Sequence, residues 1–182
     1  MDSAVRNHEI FRSHSVAKNI ALVIGASLLI SICARLSFPL PFTPVPFTLA
    51  NVGLLVVGLF LGSKRAGAAG LLYLAYGAAG MPVFSPASSG LFGVTAGYLW
   101  AFPLVAFVAG WISERGTPSF ARNLVAAIAG DLVLFIGGIS WLFAFTHSWQ
   151  KALFLGGYWF VFGEVIKIMA SAGLATRFRR TL

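Results

Sequence analysis

Glu164 and Lys167 stand three residues apart in the stretch Gly163-Glu164-Val165-Ile166-Lys167, inside an apolar run from Tyr158 to Leu174. At that spacing a carboxylate and an ammonium share one face of a helix, with Phe160 a turn before and Ser171 a turn after. In water they would be an ordinary surface pair. In a bilayer an unpaired Glu or Lys near the centre costs about 2.5–3.5 kcal/mol on insertion scales, so such residues pair, face a protein-lined cavity and mark ligand or ion sites. The pair therefore reads in two ways: as part of a site, or as an ion pair that only neutralises itself between helices. Asp131 is a third ionisable group at membrane depth, open either to joining that site or to packing beside Gly130 and Gly137.

Other chemistry is thinly represented. His8, His14 and His147 are scattered without metal-ligand spacing, and the single Cys33 permits no internal disulfide. No cofactor is expected. The chain lacks His-Glu-x-x-His, Gly-x-Ser-x-Gly and a carboxylate pair at catalytic spacing, and Ser88 and Ser89 have no nearby base. An intramembrane enzyme acting on lipid or peptide is thus the weaker alternative to a binding role. A cation- or proton-coupled carrier using Asp131, Glu164 and Lys167 is the stronger one. A purely structural bundle would bind nothing.

Composition says what must hold these residues. The 182 residues are 58% hydrophobic and only 10% charged, with mean hydropathy +0.87. A soluble domain carries about 25% charged residues, so this is an all-α integral membrane protein with room for about six helices of ~20 residues. The net charge of +8 is not gathered into a stripe or arm. Basic residues recur at the ends of apolar segments, which speaks for membrane orientation and against nucleic acid.

Taken in order, residues 1–17 form a polar cytoplasmic tail carrying Arg6 and Arg12, and residues 18–182 form one six-helix transmembrane domain. The first helix is expected at 18–36, retained rather than cleaved as a signal peptide. Its small residues Ala17, Ala21 and Gly25 recur every fourth position, a stripe that lets helices approach closely in lipid, within this molecule or against a membrane partner. Between Ser37 and Thr48, prolines 39, 41, 44 and 46 exclude a helix. That segment is apolar and uncharged, and lipid cannot satisfy its backbone, so it is expected as a lid or pocket wall. Helices follow at 49–62, 66–79, 95–113, 121–145 and 160–176. A second uncharged loop lies at Pro82–Gly93, and 146–159 is expected as an interfacial connection.

With both termini in the cytoplasm, the inner segments carry Arg6, Arg12, Lys18, Lys64, Arg65, Arg115, Arg122, Arg177, Arg179 and Arg180. The outer side has only Arg35 and Lys151, and Lys167 lies within the membrane. This bias supports six spans and places both uncharged loops outside. Glu164 then lies ~6 Å below the outer end of the last helix.

Pro39-x-Pro41-Phe-Thr43-Pro44-Val45-Pro46-Phe-Thr48, followed by Gly58-x-x-x-Gly62-x-Lys64-Arg65-x-Gly67, resembles the start of the BioY family. Tyr73-x-x-x-Gly77-x-x-Gly80-x-Pro82-Val83-Phe84, then Gly97-Tyr98-Leu99 and Gly163-Glu164-x-x-Lys167, continue the resemblance, which covers about residues 20–175. Members are the biotin-binding membrane subunits, or S components, of energy-coupling factor vitamin importers. The resemblance implies high-affinity capture of biotin from outside by a six-helix bundle. It implies partners too: a transmembrane coupling protein, docked on the Ala17, Ala21 and Gly25 stripe, and two ATPases, although a solitary mode stays open. No Gly-x4-Gly-Lys-Ser/Thr occurs here, so energy comes from another chain.

Biotin couples a ureido bicycle to an apolar chain ending in carboxylate, which calls for apolar walls with a few convergent polar groups. Phe47, Phe84, Tyr98 and Trp100 are candidate walls. Glu164 is expected to accept ureido N–H bonds, Lys167 to donate to the ureido oxygen or the carboxylate, and Arg35 to offer a second carboxylate partner. The pattern departs from the family at three places. Glu164 replaces the usual Asp, Gly93-Val94-Thr95-Ala96-Gly97-Tyr98 replaces a Gly-Pro-Thr-Gly-Gly-Tyr element, and Ala50 stands where Gln is frequent, with Asn51 beside it as a substitute.

Overall fold

Residues Val16–Arg35 average a hydropathy of 2.0 over 20 residues. At 1.5 Å per residue that is about 30 Å, the thickness of the bilayer hydrocarbon. In the computed structural model, which describes residues 2–117 and 119–178 with side chains from residue 16 onward, they belong to α1 (Asp2–Arg35). The side chains of Arg6, Arg12, Arg179 and Arg180 fall outside the described residues. Ile20, Ile24, Leu28 and Ile32 form an exposed stripe along α1, while Ile30, Ala34, Ser27 and Ser31 turn inward. Ser27 and Ser31 donate to the carbonyls of Ile24 and Ser27, both at 2.8 Å, which satisfies their hydroxyls within the helix.

The proline segment is a hairpin. Strands β1 (Ser37–Phe38) and β2 (Phe47–Thr48) pair antiparallel, Ser37 opposite Thr48 and Phe38 opposite Phe47. All four prolines lie between the paired residues, where a missing N–H breaks no ladder bond. Two short helices come next, α2 (Ala50–Leu61) and α3 (Ser63–Ala78). At 12 and 16 residues neither spans a bilayer unaided. Burial compensates, because eight of the 12 residues of α2 are buried.

α4 (Ala96–Ser113) and the 27-residue α5 (Phe120–Thr146) pack side by side. A Cβ on Gly70 would meet the Pro103 Cα at 2.7 Å, so only glycine lets α3 come this close to α4. After α5 come α6 (Trp149–Leu153), a π-helical turn at Phe154–Tyr158, and α7 (Val161–Phe178). The count of six is corrected here: the described residues form seven α-helices. The segment 146–159 is not a plain connection but a helical piece bent by 45° from α7. The Gly156-Gly157 pair is taken up in the π turn and does not interrupt the coil. Six rods of more than ten residues remain, so the expected bundle is kept with one broken member.

Polar ties mark the two ends of the bundle. At one, the Ser63 amide and hydroxyl donate to Glu114 at 2.9 and 2.8 Å, and Asn123 joins Ser113 to Thr176. Lys64, Arg65, Arg115, Arg122 and Arg177 lie on or beside these segments. At the other, Ser85 donates to Ser37 at 2.8 Å, Thr43 to the Leu155 carbonyl at 2.5 Å and Arg35 to the Pro82 carbonyl at 3.3 Å. The two uncharged loops therefore meet each other through Ser37 and Ser85, and the hairpin also meets the π turn at Leu155, at the base-poor end.

Candidate functional site

α7 presents Glu164 and Lys167 on the face it turns to α2 and α5. Phe47 of β2 lies where a Cβ on Gly163 would stand, so the hairpin packs directly on the helix start. Lys167 Nζ is 2.7 Å from Glu164 Oε1 and 3.9 Å above the Phe47 ring centroid, a cation–π contact. The second carboxylate oxygen, Oε2, accepts from Asn51 Nδ2 at 2.7 Å, and the same amide nitrogen donates to Asp131 Oδ1 at 2.6 Å. A continuous chain, Asp131–Asn51–Glu164–Lys167, thus links α5, α2 and α7, and all four side chains are buried. Buried charge persists only when paired and hydrogen-bonded; Glu164 and Lys167 have both, and Asp131 has the Asn51 amide as its donor.

Above the chain is a cavity with about 70 Å³ open to the centre of a water-sized sphere, room for several water molecules. Asn51, Tyr73, Tyr98, Phe102, Glu164 and Lys167 line it from the helices. Val45 and Pro46 close it from the hairpin, and Ser85 and Ser88 from the second loop. The Tyr98 hydroxyl donates to the Gly156 carbonyl at 2.8 Å. A Cβ on either Gly138 or Gly156 would overlap Tyr98, so these two glycines make its seat.

Asn51, Tyr98, Glu164 and Lys167 are therefore brought together at one cavity. Phe47 sits behind Lys167 and stacks on Phe160 with centroids 6.5 Å apart. Phe84 packs edge-on against Tyr73 at 5.3 Å, behind the wall. Arg35 is exposed and Trp100 half-exposed, its N–H bonded to the Leu91 carbonyl at 2.9 Å; neither lines the cavity. Asp131 accepts from Asn51 and so joins the charged chain, but it does not itself line the cavity. Tyr73 enters the sequence reading only within the motif, since α3 also carries Tyr76 and only packing tells the buried tyrosine from the half-buried one. Ala17, Ala21 and Gly25 are all exposed, and the last two border an open apolar groove with Leu29, Val56, Phe60 and Leu174. No group of three His, Cys, Asp or Glu residues suited to a metal occurs among the described residues.

Known proteins resemble this chain along most of its length. The model of the BioY family matches residues 4–182. A biotin transporter BioY of Thermotoga maritima is 36% identical over 144 residues, covering 78% of this chain and 85% of that one. A biotin transporter BioY of Rhizobium etli is 32% identical over 158 residues, with 81% and 84% covered. The crystal structure of an S-component for biotin from an ECF-type ABC transporter superposes with a TM-score of 0.81 at 23% identity, over 92% of this chain and 93% of that one, and so shares the fold. By family match and by relatives along most of its length, the chain belongs to the BioY family.

Proposed function

We propose that this chain captures biotin at the outer side of the cytoplasmic membrane and passes it inward as the S component of an energy-coupling factor importer. The observation that carries this reading is the buried Asn51–Glu164–Lys167 chain at the floor of a cavity closed by two uncharged loops. Its relatives in Thermotoga maritima and Rhizobium etli are named biotin transporters, which supports the choice of ligand. Biotin matches the cavity in kind: an apolar bicycle against Tyr98, Phe102 and Val45, with a polar head among carboxylate, amide and ammonium. Glu164 accepts from the ureido N–H groups. Lys167 donates to the ligand while staying paired with Glu164, and Phe47 holds its ammonium in place. Arg35, at the outer rim beside Pro82, is a partner for the carboxylate tail. Phe84 supports the wall through Tyr73.

Energy then comes from a transmembrane coupling protein and its ATPases. The exposed stripe Ala17, Ala21 and Gly25 is the docking edge for the coupling protein, and membrane lipid covers the rest of the apolar surface. Saturable binding of radiolabelled biotin to the solubilised chain, displaced by dethiobiotin and not by lipoate, is the expected result. Absence of saturable binding overturns the reading.

The incorporation of Asp131 into the cluster favours one second reading, a cation- or proton-coupled carrier. Uptake in whole cells separates the two. An importer of the proposed kind stops on ATP depletion and persists when the proton gradient is collapsed, and the carrier does the reverse.

A further inference from the structure

The hairpin that roofs the cavity has little of its own to hold it down. Its strands pair over two residues each, Ser37 with Thr48 and Phe38 with Phe47, and a two-stranded hairpin by itself is marginal. Its tip is fixed against the broken helix. Phe42 lies on Trp159 with ring centroids 4.5 Å apart. Val45 is buried in a cluster with Leu142, Ala152 and Phe160. Thr43 is buried too, and its hydroxyl donates to the Leu155 carbonyl at 2.5 Å while accepting from the Val45 amide at 3.1 Å. Thr43 does not line the cavity, whereas Val45 and Pro46 do.

The acceptor that Thr43 meets belongs to the bend between α6 and α7. The backbone N–H groups of Trp159 and Phe160 both turn to the Gly157 carbonyl. Carbonyls at a helix end need partners from elsewhere, and here the Leu155 and Gly156 carbonyls accept from side chains. Leu155 is met by Thr43 of the roof, and Gly156 by Tyr98 of the cavity wall at 2.8 Å. Two hydroxyls, one from the roof and one from the wall, thus hold consecutive peptide units of one π turn. Such turns recur at functional positions in helices.

We infer that Thr43 is a positioning residue that latches the roof: its bond to Leu155 sets how long the hairpin stays closed over a bound ligand, and the π turn ties that closure to the cavity wall through Tyr98. Prolines 39, 41, 44 and 46 stiffen the segment between the strands, so a freed tip lifts the hairpin as a unit. A ligand seated against Tyr98 holds that ring in place, and with it the Gly156 carbonyl and the turn that Thr43 grips. Val45 and Pro46 line the cavity when the hairpin is down. The closed state therefore offers the ligand more contact, and a ligand shifts a protein toward the state it binds better. The dependence on ligand rests on the biotin reading; the latch itself does not.

The experiment compares the full solubilised chain with Thr43→Val, which keeps the shape and removes the hydroxyl, with Thr43→Ser, with Tyr98→Phe and with the double variant Thr43→Val, Tyr98→Phe. Hydrogen–deuterium exchange of residues 36–41 and 46–49 is followed without ligand and with saturating biotin, and biotin association and dissociation rates are measured separately. Thr43→Val is expected to speed both the ligand-free exchange and the dissociation of biotin about tenfold, the effect of one buried hydrogen bond. Association stays unchanged or quickens, and Thr43→Ser restores wild-type behaviour. The double variant is expected to exchange no faster than the faster single one, because both hydroxyls act on one turn and their effects do not add. Exchange and dissociation of Thr43→Val within twofold of wild type overturn the latch. Slower association with unchanged dissociation overturns it also, since that marks damage to the site rather than an open roof. Single effects that multiply in the double variant, or exchange that biotin leaves untouched in the wild type, overturn the tie through the π turn. Wild type that binds no biotin removes the biotin reading, while the ligand-free exchange still decides the latch.

Discussion

Lys167 holds its position through two contacts, a 2.7 Å ion pair with Glu164 and the face of Phe47 at 3.9 Å. Truncating it strands a buried carboxylate, and breaking a buried pair from one side costs about 3–5 kcal/mol. Lys167→Ala is therefore expected to insert into the membrane yet melt well below wild type and lose biotin binding severely. The double variant Glu164→Gln, Lys167→Met removes both charges at similar volume, which is close to neutral for a buried pair. It should regain part of the melting temperature, Asp131 staying buried without a cation beside it, while binding stays lost. Thermal unfolding in detergent and titration calorimetry read the two effects apart, and binding by either variant at wild-type affinity would exclude Lys167 from the site. The sequence spacing alone placed Glu164 and Lys167 on one face because a three-residue step is local geometry. It could not place Asn51, which lies 113 positions from Glu164 and 80 from Asp131.

At the scale of elements, glycines decide how closely the helices approach. Gly138 of α5 gives Tyr98 of α4 its seat, and Gly70 of α3 lets the Pro103 backbone within reach. Gly138→Ala is expected to push Tyr98 out of the cavity wall, break its bond to Gly156 and weaken biotin by about tenfold, the loss of one hydrogen bond and its packing. Gly70→Ala, against backbone that cannot yield, is expected to cost about 1–3 kcal/mol of stability as overpacking does. It lies away from the cavity lining, so its biotin affinity should hold. A melting curve with a binding isotherm for each variant checks both. Most elements were legible because apolar runs bounded by charge, Gly or Pro map onto helices, and four prolines in eight residues onto non-helical chain. The helix α6 was not. Gly156-Gly157 reads as a break locally, whereas in the fold both glycines face α5, Gly156 also Tyr98, within the π turn that continues α6.

Over the whole molecule, the chain is a multi-pass protein of the cytoplasmic membrane, and large apolar side chains are exposed on its helices from Val16 to Phe178. Within that surface the groove beside Ala21 and Gly25 is open, and a Cβ on Gly25 would meet nothing within 4 Å. Ala21→Leu with Gly25→Leu is thus expected to leave folding and biotin binding intact in the isolated chain, yet to abolish energised uptake once the coupling protein and ATPases are supplied. Uptake at the wild-type rate would remove that edge as the docking surface. The sequence by itself determined that the chain lives in a membrane, which end of it gathers the basic residues, where the six longer helices run, and that a charged pair lies near the base-poor end. Each follows from composition or short-range periodicity, which belong to single segments. Only the tertiary structure decided that Asp131 and Asn51 complete the charged chain, that Tyr73 faces the cavity unpaired, and that Phe84 and Arg35 stand back from it. Those relations depend on how separate helices are rotated and spaced against one another, and that is set by packing across the bundle rather than by any one stretch of chain.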